Sequence, residues 1–262
     1  MEVHRFSKMN ELERAIELHQ SGNLAEAQNL YEKILQTEPQ NADALHLLGV
    51  VAYQKGDYSM ACEYIEKAVS LNPHCPEYYF NLANSYRLAN NTPKAIHCFR
   101  AALEKNPDLA GAYYHLANLF EQQGELKEAI KCLHHFIQLE PETWECYQHL
   151  GNLHYACRQL EEAKHSYQMF LKINSESVEV LNNLGNIYKD QREYTQAAKL
   201  YQKALEKNPL FFESHLNIAS IFSDQQRLTE ALHHIKIAKS LQPENFRVYL
   251  KNNNEKFHHP FY

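Results

Sequence analysis

Prolines recur along this chain at a fixed interval, and this rhythm limits the possible folds more than any other feature. The interval is 34 residues, with one double gap of 68 residues in which Ser175 stands at the skipped place: Pro39, Pro73, Pro107, Pro141, Pro209 and Pro243. A period of this length indicates stacked supersecondary units that share one continuous core. With the proline as position 32, the units are 8–41, 42–75, 76–109, 110–143, 144–177, 178–211 and 212–245.

Two further positions of each unit hold only small residues. Position 20 is alanine in all seven units: Ala27, Ala61, Ala95, Ala129, Ala163, Ala197 and Ala231. Position 8 is always alanine or glycine: Ala15, Gly49, Ala83, Ala117, Gly151, Gly185 and Ala219. Small side chains at a crossing point let two helix axes approach to about 8–10 Å. The pattern therefore predicts two closely packed helices in each unit.

Within each unit the pattern predicts a first helix that contains position 8, a tight turn, and a second helix that contains position 20. In the third unit, Tyr79, Leu82, Ala83 and Tyr86 follow helical spacing and form one apolar face of the first helix. Position 15 is glycine or asparagine in units 1 to 4, which suits the positive φ of a helix C-terminus. Units 5 to 7 have Arg158, Arg192 and Gln226 there, so we expect strained turns at these residues.

These residues resemble the tetratricopeptide repeat (TPR) family, over about nine-tenths of the chain, residues 8–245. The resemblance implies an all-α fold, a right-handed α-solenoid of seven TPR helix-turn-helix repeats, with the first helix of each repeat lining the concave side. Residues 1–7 are expected to be a lead-in. Residues 246–262 are expected to form a partial capping helix followed by a flexible tail, with a possible weak homo-association through this end of the chain.

Composition and motifs exclude several functional classes. The net charge of −6 and the scattered Lys and Arg give no basic stripe for nucleic acid, and no apolar window is long enough for a membrane span. The cysteines form no C-x-x-C pair, which suggests reduced thiols and a cytoplasmic location. No phosphate-binding loop or catalytic motif occurs, so we predict neither an enzyme nor a cofactor. His115 and His149 lie in adjacent repeats, too far apart to share a metal ion directly, so no metal site is predicted.

The remaining side of each first helix, which includes positions 5, 6 and 9, should face the groove of the solenoid. Carboxamides recur there at position 9, as Asn84, Asn118, Asn152 and Asn186. Position 6 of repeats 3 to 7 is Asn81, His115, His149, Asn183 and Asn217. A carboxamide donates and accepts, so a row of them could bind an extended peptide backbone. The alternative is that they bond to the adjacent repeat and set the stacking.

Position 5 adds an apolar patch of Phe80 and Tyr114, which could anchor a ligand side chain or pack at the edge of the core. The carboxylate clamp known in the TPR family needs Lys at this position and is absent from this sequence. The inner face is similar to that of O-linked N-acetylglucosamine transferases and related bacterial TPR proteins. Their asparagine ladder binds backbones; Asn81, Asn183 and Asn217 match it, whereas His115 and His149 interrupt it.

Two functions follow as hypotheses. The first is a non-catalytic scaffold that binds a protein or peptide partner, as an extended segment or a loop, in its groove. The second is the substrate-recruiting TPR region of a glycosyltransferase whose catalytic domain is absent from this chain.

Overall fold

The computed structural model describes residues 11–252, and in that range the chain forms helices and no strand. The predicted all-α class is confirmed. The helices are α1 (Glu11–Gln20), α2 (Leu24–Thr37), α3 (Ala42–Gln54), α4 (Tyr58–Leu71), α5 (Pro76–Leu88), α6 (Thr92–Lys105), α7 (Ala110–Gln122), α8 (Leu126–Leu139), α9 (Glu145–Ala156), α10 (Leu160–Ile173), α11 (Val178–Asp190), α12 (Tyr194–Lys207), α13 (Phe212–Asp224), α14 (Leu228–Leu241) and α15 (Pro243–Asn252). The predicted lead-in 1–7 and the tail after 252 lie outside the described residues.

The helices belong to two compact groups of repeats, Met1–Glu140 and Pro141–Tyr262. From here on, we call these groups the first and the second unit, and we call each 34-residue segment a repeat. The first unit contains α1 to α8 and the second contains α9 to α15. In both units each odd-numbered helix up to α13 packs most extensively against the helix that follows it, which makes a hairpin. Within a unit, the second helix of each hairpin then packs against the first helix of the next. This is the arrangement expected of stacked helix-turn-helix repeats.

Small residues mark the crossing point of each hairpin, as the sequence predicts. The position-20 alanines are all fully buried, with 0% exposure. A Cβ atom on Gly185 would lie 2.5 Å from a ring carbon of Tyr201, and one on Gly151 would lie 2.5 Å from the ring of Tyr167. Position 8 therefore packs against the residue at position 24 of its own hairpin, where the backbone of the first helix meets a large side chain of the second.

The turn inside each hairpin has the same backbone geometry in all seven repeats. Position 15 has a positive φ at every occurrence: Gly22, Gly56, Asn90, Gly124, Arg158, Arg192 and Gln226. The φ values are 60° at Arg158, 62° at Arg192 and 59° at Gln226. A side chain in this region costs free energy that glycine avoids. The strained turns expected in repeats 5 to 7 are present.

Burial on the first helices extends beyond the predicted apolar face. In repeat 3 the side chains of Tyr78 and Ser85 are buried in addition to Leu82, Ala83 and Tyr86. The reason is that α5 contacts α6 of its own repeat and also α4 of the preceding one. Two contact surfaces need a wider buried face than the single stripe from which the prediction was made.

Helix α15 packs on the last hairpin. It begins at Pro243, three residues before the position at which the partial capping helix is expected, because a proline is well tolerated in the first turn of a helix. Phe246 is 5% exposed and packs with Phe212, Leu216 and Ala238. The ring of Tyr249 stacks 6.5 Å from that of Phe246. These contacts cover apolar side chains of α13 and α14.

Candidate functional site

The predicted binding residues lie on first helices of the hairpins and divide between the two units. In the first unit they are Phe80, Asn81 and Asn84 on α5 and Tyr114, His115 and Asn118 on α7. In the second unit they are His149 and Asn152 on α9, Asn183 and Asn186 on α11, and Asn217 on α13. We call the residues of this set that stand at positions 6 and 9 of their repeats the asparagine face. In the first unit it is Asn81, Asn84, His115 and Asn118, and in the second it is His149, Asn152, Asn183, Asn186 and Asn217.

The three asparagines at position 6 bond to the preceding repeat through their amide nitrogen. Asn81 Nδ2 donates to His46 Nε2 at 2.8 Å. In the second unit, Asn183 Nδ2 donates to Asn152 Oδ1 at 3.3 Å, and Asn217 Nδ2 donates to Asn182 Oδ1 at 3.0 Å. These bonds join adjacent repeats, as the stacking alternative predicts for these residues. They use one half of each carboxamide.

The oxygen atoms of the same side chains differ in whether they accept a hydrogen bond. Asn217 Oδ1 accepts a hydrogen bond from Lys189 Nζ at 2.8 Å. Within residues 11–252, Asn81 Oδ1 and Asn183 Oδ1 accept none. Each of these two oxygens has lone pairs that can accept from a ligand N–H.

The asparagines at position 9 have a different pattern, which depends on position 24 of the second helix. Tyr167 donates its hydroxyl hydrogen to Asn152 Oδ1 at 2.7 Å, and Tyr201 donates to Asn186 Oδ1 at 2.8 Å. Gly151 and Gly185 provide the space through which these tyrosine rings pass. The carboxamide oxygens are therefore occupied by the protein. The amide nitrogens of Asn152 and Asn186 make no hydrogen bond with the described part of the chain.

In repeats 3 and 4, which supply the position-9 asparagines of the first unit, position 24 is Phe99 and Leu133, so these asparagines have no tyrosine partner. Asn84 is buried and its Nδ2 donates to the backbone oxygen of Phe80 at 3.2 Å. Asn118 is half-buried and makes no hydrogen bond with residues 11–252. The four position-9 asparagines are therefore not equivalent, although the sequence shows them as one row.

Position 5 contains hydrogen-bond partners of the asparagine face that sequence reasoning missed. His46 and Asn182 are buried, and each accepts from the asparagine 35 residues further on. Ser214 Oγ also donates to Asn182 Oδ1 at 3.1 Å. Burial lowers the pKa of His46 to about 4, so its imidazole is neutral and can accept from Asn81. A polar residue at position 5 followed 35 residues later by asparagine would have been the signal.

His115 and the two aromatic residues of position 5 form a cluster in the first unit. The His115 ring stacks on Phe99 with 5.4 Å between ring centroids, and Phe80 meets Phe99 edge-on at 5.7 Å. Burial, together with the positive charge of Arg87, lowers the pKa of His115 to about 4. Tyr114 is 38% exposed and lies 5.5 Å from the ring of Phe136. Phe80 thus packs at the edge of the core, whereas Tyr114 presents its ring to solvent.

No group of three or more His, Cys, Asp or Glu side chains in residues 11–252 is arranged to hold a metal ion. None of the helices in that range combines the length and the hydropathy that crossing a bilayer requires. His149, on α9, is half-buried.

Comparison with protein families gives three matches, all to models described as tetratricopeptide repeat. They cover residues 18–84, 80–132 and 178–210. The matched segments are parts of the same array of 34-residue repeats that folds into hairpins in the structure.

Two curated relatives match the chain over part of its length. A probable UDP-N-acetylglucosamine–peptide N-acetylglucosaminyltransferase of Arabidopsis thaliana is 28% identical over 106 residues, which is 38% of this chain and 11% of the relative. A UDP-N-acetylglucosamine–peptide N-acetylglucosaminyltransferase of Caenorhabditis elegans is 34% identical over 68 residues, 26% of this chain and 6% of the relative. The matches thus span only about a tenth of these proteins, or less.

Solved structures show the same fold. The C-terminal part of a TPR repeat-containing protein from Cytophaga hutchinsonii superposes with a TM-score of 0.74 and 18% identity, covering 95% of this chain and 100% of the other. YrrB, described as a TPR protein with an unusual peptide-binding site, gives a TM-score of 0.61 and 21% identity, covering 73% of this chain and 99% of YrrB.

Proposed function

Because this chain belongs to the tetratricopeptide repeat family, we propose that it is a non-catalytic interaction scaffold that binds an extended peptide or a partner's loop. The ligand lies along the first helices, on the asparagine face. The observation that carries the proposal is that four of these carboxamides are bonded by the protein at one end only: Asn81, Asn152, Asn183 and Asn186. Within residues 11–252 the other end of each of these four makes no hydrogen bond.

In the second unit, the carboxamide groups that the protein leaves without a hydrogen bond include both an acceptor and a donor. Asn183 offers an oxygen that can accept from a peptide N–H, since its nitrogen is bonded to Asn152. Asn186 offers a nitrogen that can donate to a peptide C=O, since its oxygen is bonded to Tyr201. A peptide backbone presents one donor and one acceptor per residue. The asparagine face of the second unit can therefore bind backbone groups with little regard to the ligand's side chains.

Energetics require several such contacts. One hydrogen bond contributes about 0.5–1.5 kcal/mol net. The bonds that the protein makes to each carboxamide hold the side chain in place before the ligand arrives, which reduces the entropy lost on binding. YrrB supports the proposal as a protein of the same fold whose description includes a peptide-binding site.

The test uses a random peptide library displayed on phage and selected on the full chain. Selected peptides are then synthesised and their affinity is measured by fluorescence anisotropy. We expect Asn183→Ala to weaken binding by about two- to tenfold, as the loss of one hydrogen bond implies. The control is Gln196→Ala, which removes an exposed side chain on α12 of the same repeat. Unchanged affinity of the Asn183→Ala variant for every selected peptide would contradict the proposal for the second unit.

The double variant Asn183→Ala with Asn217→Ala is expected to weaken binding further. The structure shows that Asn217 bonds to both Asn182 and Lys189. Its removal therefore affects the stacking as well, and the double variant needs a thermal melt beside the binding curve. The single change at Asn183 is the cleaner measurement.

A second candidate function is the recruitment of substrates to a glycosyltransferase, which the two curated relatives favour. Under this hypothesis the chain delivers peptides to a separate domain that transfers N-acetylglucosamine. The test fuses the chain to such a domain and measures the glycosylation of a selected peptide. Faster modification that is lost in the Asn183→Ala fusion would support recruitment, and equal rates in both fusions would oppose it.

A further inference from the structure

A small cleft opens in the first unit, where α3, α4 and α5 meet. Its volume is about 140 Å³. The side chains around it are Val50, Tyr53, Gln54, Ile65, Asn81, Asn84 and Ser85. This volume corresponds to about five water molecules at about 30 Å³ each. The cleft is therefore large enough for one aliphatic side chain.

The lining divides into an apolar part and a polar part. Val50 and Ile65 provide aliphatic surface, and the half-buried ring of Tyr53, which meets Tyr58 edge-on at 5.7 Å, forms a wall. Asn81 also lines the cleft, and its carboxamide oxygen accepts no hydrogen bond within the described residues. A ligand residue can therefore place an apolar side chain in the cleft while its backbone N–H donates to Asn81. Pockets of this kind, mostly apolar with a few placed polar groups, are typical of binding sites.

A cation without a counter-charge stands beside the cleft. Arg87 Nη2 donates to Asn84 Oδ1 over a long 3.4 Å, and Arg87 Nε is buried with no hydrogen-bond partner. No carboxylate of residues 11–252 pairs with this guanidinium. A buried donor that makes no hydrogen bond costs free energy. Guanidinium groups form strong, charge-assisted hydrogen bonds with carboxylates.

Comparison with an equivalent position in the second unit shows what Arg87 lacks. Lys189 is the residue at the same place of repeat 6, and it donates to Asn217 Oδ1. Asn217 stands at position 6 of the repeat that follows Lys189, and the same position in the repeat that follows Arg87 is His115. The ring of His115 is stacked on Phe99 and adds no negative charge. The arginine is therefore left with an unsatisfied donor where the lysine is not.

Two acidic side chains of the surrounding helices are engaged with other groups. Asp43, at the start of α3, accepts from the hydroxyl of Tyr78. Glu66 on α4 accepts from Tyr86 and forms an ion pair with Lys94 at 3.4 Å. Neither carboxylate bonds to the guanidinium of Arg87.

We propose that this cleft and Arg87 together form a subsite for an aliphatic ligand residue that is followed by a carboxylate. The aliphatic side chain occupies the cleft, its N–H donates to Asn81, and the carboxylate binds the guanidinium of Arg87. The carboxylate is either the C-terminus of the peptide or the side chain of the next residue. This inference rests on the proposed peptide-binding function and specifies the ligand for the first unit.

The first experiment compares four fluorescein-labelled peptides that share a Gly-Ser stretch. One ends in Leu with a free carboxylate, the second ends in Leu amide, the third ends in Leu-Asp amide, and the fourth ends in Gly with a free carboxylate. We expect the first or third peptide to bind at least tenfold more tightly than the second and the fourth. The first alone indicates a C-terminal ligand, and the third indicates an internal acidic residue. Equal affinity of the first three peptides overturns the proposal.

The second experiment asks whether Arg87 causes the preference. In the Arg87→Gln variant we expect the ratio of affinities between the carboxylate and amide peptides to fall to about one. Arg100→Gln is the matched control, because Arg100 is exposed on α6 of the same unit and does not line the cleft. A ratio that stays high in Arg87→Gln overturns the assignment of the carboxylate to this residue.

The cleft itself is tested by filling it and by removing its wall. Val50→Phe should abolish the preference for Leu over Gly, and circular dichroism reports whether the variant is folded. Tyr53→Ala gives an independent answer if Val50→Phe does not fold, and it should reduce the Leu preference severalfold. If peptides bind and depend on Asn183 but not on Arg87 or Tyr53, the proposed function stands and this subsite falls. If none of the four peptides binds, the subsite is likewise overturned.

Discussion

Single residues in this protein are often bonded across 35 positions of sequence. His46 and Asn81, Asn182 and Asn217, and Tyr155 and Asp190 are such pairs. Each pair joins consecutive repeats, one residue out of step with the 34-residue period. The buried members make the stacking selective, because a buried polar group that loses its partner costs about 1–3 kcal/mol.

Buried histidines give the protein a specific pH dependence. Burial lowers the pKa of His46, His115 and His234 to about 4, from 6.5. Below pH 6.5 the unfolded chain binds protons that the folded chain does not, so stability falls as the pH drops from 6.5 to 4. Above pH 6.5 these three groups contribute no pH dependence.

Replacing one of these histidines tests the effect. His115→Phe keeps a ring between Phe99 and Tyr114, and it removes one protonation step. We expect the loss of unfolding free energy between pH 7 and pH 5 to shrink by about 2 kcal/mol. Urea denaturation at the two pH values measures it. His97→Phe, at an exposed position of α6, is the control, and an identical pH dependence of the His115 variant and the wild type would refute the expectation.

At the scale of one hairpin, the turn and the helix crossing decide the geometry. Both recur in every repeat, and both could be predicted from the sequence because they depend on local properties, namely positive φ and small volume. The hydrogen-bond partners could not. Whether Asn186 meets a tyrosine hydroxyl depends on position 24 of the other helix and on the space left by Gly185, which are properties of the folded pair.

The turns of repeats 5 to 7 can be improved. Arg192 has a φ of 62°, and glycine has no steric cost there. We expect Arg192→Gly to raise the unfolding free energy by roughly 0.5–1 kcal/mol. The reverse change, Gly124→Ala in the first unit, should lower it by about 1 kcal/mol. Chemical denaturation of both variants gives the comparison, and a destabilised Arg192→Gly protein would show that its side chain contributes more than strain relief.

The helix crossing tolerates no enlargement. Ala163 is fully buried at the crossing of α9 and α10, in a cluster with Tyr167 and Phe170. We expect Ala163→Leu to lower stability by about 1–3 kcal/mol through overpacking. Ala156→Leu places the same side chain at an exposed position of α9 and is the control. A thermal melt that is the same for both variants would contradict the role of position 20.

On the scale of the whole molecule, helix α15 carries both buried and exposed apolar side chains. Helix α15 buries Phe246 but leaves Val248 58% exposed. The predicted homo-association would use this surface, since exposed apolar patches favour self-contact. We expect light scattering to show a mass that rises with concentration, and Val248→Lys to abolish the rise. Leu71→Lys, in the first unit, should leave it unchanged; a constant monomer mass for the wild type would exclude association.

The sharing of each carboxamide between the protein and its ligand has a mechanical consequence. In the second unit, the amide nitrogen of Asn183 bonds two neighbouring repeats together, while its oxygen accepts no hydrogen bond from residues 11–252. Bound peptide would therefore act on the same side chains that resist separation of the hairpins. Stretching the protein with optical tweezers should require more force when the peptide is bound, so that occupancy is read out as elasticity.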